Sequence, residues 1–219
     1  MKKAIVFDLD GTLLNTLEDL CDSTNFALEK CGFPKRSLGE VRRFVGNGIR
    51  KLIERAVPET AEEPAITECY EIFCEHYKGN MENKTAEYEG ISDMLDALYQ
   101  AGYKMAIVTN KADFAAQALC SRLFGKYVHT VVGSVDARPN KPAPDGVYYA
   151  LEQMGVKKSE AVFVGDSEVD IETAKNAEMD AIGVLWGFRD AADLQKAGVK
   201  MTVKDTKELK NLLLSLKNR

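Results

Sequence analysis

The chain has 219 residues, 45% of them hydrophobic, enough to bury a core in one large domain or in a domain carrying an insertion. A net charge of −5 argues against a cationic surface, so neither nucleic acid nor an anionic membrane is an expected partner. Five cysteines without a Cys-x-x-Cys pair point to a reducing, cytoplasmic setting, and no apolar run reaches signal-peptide or membrane-spanning length.

In chain order, the first predicted element is a strand over Lys3–Phe7 that ends in Asp8-Leu9-Asp10-Gly11-Thr12. Positions i and i+2 emerge on one side of a strand, and two carboxylates there repel unless a cation or a shared proton lies between them. The stretch up to the next strand signal, Lys104–Thr109, is far longer than one crossover helix needs. Its pattern from about residue 15 to 82 reads as four helices, broken at Gly32-Phe33-Pro34, Gly46-Asn47-Gly48 and Pro58. This predicts a small all-helical cap domain, residues 15–82, inserted between hinges in a core formed by residues 1–14 and 83–219. Cys69, Cys74 and His76 within it match no zinc spacing.

Beyond the insertion, Leu95 and Leu98 mark a helix stopped at Ala101-Gly102, followed by the strand at 104–109. A helix over Phe114–Leu123, a strand over Val128–Ser134 and a helix over Val147–Met154 come next. The series closes with a strand over Ala161–Gly165, a helix over Ile171–Ala177 and strands over Ala181–Leu185 and Met201–Val203. Such alternation predicts an α/β fold with a doubly wound parallel sheet.

Open parallel sheets bind ligands beyond the carboxyl ends of their strands. Four predicted strands are followed there by chemically capable residues: Asp8 and Asp10; Thr109-Asn110-Lys111; Lys141-Pro142-Ala143-Pro144; and Gly165-Asp166-Ser167 with Asp170. In that order, D-x-D-G-T, a strand-end Thr, K-P-x-P and G-D-S-x-x-D resemble the signatures of the haloacid dehalogenase superfamily of phosphotransferases, over nearly the whole core. The resemblance implies a Rossmann-like core with a mobile helical cap inserted after the first strand. Val45-Gly46-Asn47-Gly48 before a helix, with Val108-Thr109-Asn110-Lys111 in the core, is similar to the phosphoglycolate phosphatase branch, whose substrate has a carboxylate at its far end.

Each residue type also has a physical reason to be there. Asp8 is suited to attack phosphorus and carry an aspartyl-phosphate, and Asp10 to protonate the leaving alkoxide and then deprotonate water. Gly11 lets the backbone turn close to a phosphate, and Thr12 can hydrogen-bond the loop. Hard oxygen ligands suit Mg2+, assigned to the Asp8 side chain, the Asp10 backbone carbonyl and Asp166; the resemblance implies the same three. Thr109, taken as the start of the next helix, offers a hydroxyl and an N–H to phosphate oxygens, while Lys141 balances transition-state charge.

Some assignments stay open at this level. Asp170 either orients Lys141 or a metal water, or caps a helix beginning at Ile171. Gly46, Asn47, Gly48 and Arg50 either read the non-phosphoryl part of the substrate or serve as a turn, a cap and a surface partner for Glu54. Asn110 is expected at the substrate, and Lys111 is either a substrate contact or an ordinary exposed residue. Two departures from the family pattern stand out: Asn15 where many relatives are acidic, and Glu178 where a helix usually closes on Gly.

The expected activity is magnesium-dependent hydrolysis of a small phosphate monoester, 2-phosphoglycolate first, by a monomer or homodimer. Asp10 argues against a halide-releasing relative, since a stable halide needs no general acid. Pyrophosphatase, broad sugar-phosphate or nucleotide phosphatase and phosphosugar mutase activities share the same core chemistry. A phospho-accepting signalling module is the rival from another class, disfavoured by the position of Asp8 after the first strand and by the inserted helices.

Overall fold

Ala4-Ile5-Val6-Phe7 is buried on both faces, and its β-branched and aromatic side chains make it the central strand of the molecule, β1 (Ala4–Phe7). The computed structural model describes residues 1–128 and 130–217. After β1 come β2 (Leu14–Asn15) and four helices, α1 (Leu17–Lys30), α2 (Leu38–Phe44), α3 (Ile49–Ala56) and α4 (Glu63–Asn80), and then β3 (Ala86–Glu87). The remainder runs α5 (Ile91–Gln100), β4 (Lys104–Ala112), α6 (Asp113–Phe124), β5 (Thr130–Ser134), α7 (Asp145–Met154), β6 (Ala161–Gly165) and α8 (Glu168–Asn176). It ends with β7 (Asp180–Val184), α9 (Ala191–Lys196), β8 (Thr202–Val203) and α10 (Thr206–Leu216).

Six strands form one parallel sheet in the order β5-β4-β1-β6-β7-β8. The fold is α/β, a Rossmann-like doubly wound sheet. Alternation along β1 divides the core: Ile5 and Phe7 pack with Leu95 and Leu98 of α5, Leu119 of α6 and Leu209 of α10. Ala4 and Val6 face the opposite layer, with Val147 and Leu151 of α7 and Ala174 of α8. Phe7 is level with Ile107 on one side and Val164 on the other, so three adjacent strands release their chains at one height. The chain turns from β5 back to β6 across β1, which makes this edge the sheet's switch point.

Helices α1–α4 gather around an apolar cluster of their own, including Leu28, Val41, Ile53, Phe73 and Tyr77, to which Ala115 and Phe188 are added from outside the segment. Breaks between them fall where glycine and proline predict, and α2 starts on a Ser37–Glu40 capping box. The segment leaves and rejoins the rest through β2 and β3, which pair antiparallel, Leu14 with Glu87 and Asn15 with Ala86. Asp19, buried at the start of α1, clamps the return by accepting from the N–H groups of Lys84 and Thr85. Among the described residues, no helix is long and apolar enough to cross a membrane.

Several boundaries differ from the sequence expectation. The strand expected over Val128–Ser134 starts at Thr130; position 129 lies outside the described residues. β4 continues past Thr109 to Ala112 with an irregular register, so Thr109 does not begin a helix. α8 begins at Glu168 rather than Ile171, because Ser167 supplies the cap one turn earlier. Helices α9 and α10 and the β2–β3 ribbon are additional to the predicted elements.

Candidate active site

Asp8 leaves the end of β1 with its side chain nearly closed off from solvent, and Lys141, from the segment before α7, reaches across to it. Lys141 Nζ lies 2.7 Å from Asp8 Oδ1 and donates to Asp170 Oδ1 at 2.6 Å. The other Asp170 oxygen accepts from Ser167 Oγ at 2.7 Å and from the N–H groups of Ser167 and Asp166. Asp170 therefore does not cap a helix at Ile171: it is the third residue of α8, where one carboxylate closes the capping box opened by Ser167 and also holds Lys141. Asp166 accepts from Thr12 Oγ1 at 3.0 Å and from the Phe188 N–H at 2.7 Å. Backbone presses directly on Asp166: Gly11 has φ +92°, and a Cβ there or on Gly187 would overlap the Asp166 side chain.

Oxygens of Asp8, Asp166 and Asp170 all lie within 4.8 Å of one another, and all three residues are buried. Among the described residues, Lys141 is the one cation in contact with the group, leaving a surplus of negative charge. Burial and the neighbouring Asp170 push Asp8 up to about 7. Asp166 is raised well above the ordinary aspartate range by burial and by Asp170 and Asp8. Although burial disfavours its charge, Asp170 and Asp8 hold Lys141 above the usual lysine value. Asp8 Oδ1 has no aligned hydrogen-bond donor, since the Lys141 contact is an ion pair without hydrogen-bond geometry. A buried carboxylate oxygen left unpartnered, in a cluster short of positive charge, fits a hard divalent cation such as Mg2+.

The cavity above these groups is lined from the sheet by Asp8, Asp10, Thr109, Asn110, Lys111, Lys141 and Asp166. From the helical segment come Gly46 and Gly48, with apolar walls at Leu20, Ile49 and Leu52; Phe188 and Tyr77 complete it. Asn47 and Arg50 are not brought to this lining. The Asn47 side-chain oxygen Oδ1 accepts from Arg55, and the Arg50 guanidinium is engaged by Glu54, Thr67 and Glu63. Asn110 donates to the carbonyls of Gly46 and Lys141 and accepts from the Lys141 N–H, so its amide braces two loops. Lys111 is not exposed: its Nζ is buried, 3.0 and 3.3 Å from the two oxygens of Asp10 and 2.7 Å from Tyr77 Oη.

Besides the apolar walls and Phe188, Tyr77 and Arg189 escape a reading by sequence. Tyr77 carries the signal of a core position on α4, and nothing in its spacing points to Lys111. Arg189, in the loop after β7, is oriented by Glu168 at 2.8 Å and donates to the carbonyls of Arg42 and Val45 at the end of α2, which carry the negative pole of that helix. Arg42 returns a bond to the Gly187 carbonyl. These contacts hold the four helices down over the cavity.

Residues 5–184 match the family described as haloacid dehalogenase-like hydrolase. The chain is 34% identical over 215 residues to a phosphoglycolate phosphatase of Vibrio parahaemolyticus, with 94% of each chain covered. It is 30% identical over 223 residues to one of Colwellia psychrerythraea, covering 99% of this chain and 97% of that one. A crystal structure of a Lactobacillus delbrueckii subsp. bulgaricus protein, provisionally named phosphoglycolate phosphatase, superposes with a TM-score of 0.93 at 33% identity, over 97% and 99% of the two chains. With the family match spanning most of the chain and relatives of full length on either side of it, the chain belongs to the haloacid dehalogenase-like hydrolases.

Proposed function

We propose that this hydrolase is a magnesium-dependent phosphatase of small phosphate monoesters, with 2-phosphoglycolate as its first candidate substrate. The observation that carries the reading is the unpartnered, buried Asp8 Oδ1 beside Lys141 at the end of the central strand. The side chains of Asp8 and Asp166, with the main-chain carbonyl of Asp10, would hold the cation, which when bound neutralises phosphoryl charge and orients the ester.

In the first half-reaction an Asp8 oxygen forms a bond to phosphorus as the ester oxygen leaves, and Asp10 gives that oxygen its proton. In the second, Asp10 takes a proton from water, whose oxygen attacks the aspartyl-phosphate and releases inorganic phosphate and free Asp8. Lys141, locked by Asp170, supplies fixed positive charge next to the transferring group, where a preoriented cation costs no reorganisation. Thr109 adds a hydroxyl at the phosphate end. Leu20, Leu52 and Phe188 limit water while the ester is bound. The domain reading supports the same picture, with residues 15–82 as a cap over a core of residues 1–14 and 83–219. A carboxylate at the far end of the substrate would meet the start of α3 at Gly48 and Ile49, where helix N–H groups are available. The names of the relatives favour phosphoglycolate over other small esters.

The test is release of inorganic phosphate from a panel of monoesters and pyrophosphate, with Mg2+ or excess chelator, for wild type and Asp8→Asn. Metal-dependent release from 2-phosphoglycolate, lost by a factor of roughly 1,000 or more in the variant, is expected. Activity directed at pyrophosphate or spread over sugar phosphates would replace the substrate, and undiminished turnover in Asp8→Asn would refute the mechanism.

A further inference from the structure

Asp10, the acid and base of the proposed reaction, does not stand alone in the cavity. Lys111 Nζ reaches both of its oxygens, and the same ammonium donates to the hydroxyl of Tyr77 at 2.7 Å, 5.0 Å from the centre of that ring. Tyr77 belongs to α4, in the segment between β2 and β3, whereas Lys111 lies near the end of β4 and Asp10 follows β1 in the main sheet. The Lys111 side chain is 2% exposed, so with α4 docked its ammonium relies on these protein partners. Next to it, Asn110 is gripped by the Gly46 carbonyl, again from the helical segment. Two consecutive residues at the end of β4 are thus held from above.

We propose that Tyr77 is a positioning residue that acts through Lys111 on Asp10, so that full general-acid assistance requires α4 to be docked. The inference rests on the phosphatase reading of the site. When α4 withdraws, Lys111 loses the hydroxyl that fixes one of its three donor directions, and the Asp10 carboxyl loses the rigid fork that aims it at the ester oxygen. A leaving group then departs without a proton until the helices close. This arrangement explains why a lysine in the cavity is turned away from a free role in substrate binding: all of its contacts are spent between the cap helix and Asp10.

Tyr77→Phe and Lys111→Met separate this role from a structural one, because an aryl phosphate expels a stable phenolate that needs little protonation while an alkyl phosphate needs it fully. The readout is kcat/KM with Mg2+ for p-nitrophenyl phosphate and for the best alkyl phosphate substrate of the wild type. Tyr77→Phe should lose about tenfold more on the alkyl than on the aryl ester, and Lys111→Met more again, within the range general acid catalysis contributes. Equal losses on both esters, or none, in an active wild-type background overturn the proposal alone. A wild type without metal-dependent activity on either ester overturns the phosphatase reading and the proposal together.

Discussion

Glu178 sits at φ +54°, left-handed backbone that L side chains avoid, and it is the one non-glycine residue with positive φ among the described residues. It closes α8 as a glycine would: its own N–H reaches the Lys175 carbonyl, and the Met179 N–H reaches Ala174. What the sequence marks as a departure is thus the ordinary helix end carried by an unfavourable residue. Its exposed ion pair with Lys158 offsets little of the strain. Glu178→Gly should raise Tm by about 1–3 °C, measured by thermal melting, with activity unchanged. Asp8 makes a second prediction, on pH. Its folded value of about 7 lies above the ordinary 3.8, so without metal the folded protein keeps a proton that the unfolded chain releases. Stability from this group is present at low pH and lost as pH rises toward 7. In excess chelator, the Tm of Asp8→Asn relative to wild type should therefore climb between pH 5 and pH 8; a difference flat with pH would count against the raised value. Asp8, Asp10, Lys141 and Asp166 were legible because each follows a strand in a recognisable local motif. The partnership of Lys111 with Tyr77 was not, because it joins residues with no shared local pattern.

At the scale of elements, Arg189 is the most consequential side chain outside the cavity. It ties Glu168 at the first turn of α8 to the last carbonyls of α2, where its charge also meets the helix dipole. Arg189→Met should remove charge-assisted bonds worth roughly 2 kcal/mol together, and hydrogen exchange across residues 38–56 should quicken about tenfold or more while β1 stays protected. Uniform exchange across the molecule would instead indicate global destabilisation. Long buried strands and glycine-broken helices were readable from periodicity and turn residues. β2 and β3, two residues each, carry no periodicity at all, and the Thr109 region looked like a helix start because the irregular register of β4 is set by its pairing with β5. α10 did carry a signal, in Leu209, Leu212, Leu213 and Leu216, which the pattern-based assignment omits.

For the whole molecule, alternating elements announced a parallel sheet, but not the strand order that sets β1 between β4 and β6 and so brings four separated motifs to one edge. That order comes from packing between distant parts of the chain. The β2–β3 ribbon has a further consequence. Asn15 and Ala86 face each other across two short strands, so the sheet side meets only two chain ends a few ångströms apart, whatever lies between them. An Asn-Gly turn in place of residues 16–85 would close those ends as an ordinary hairpin. In topological terms the helices α1–α4 are an overgrown hairpin loop, and the threading of the sheet beneath does not depend on what that loop contains.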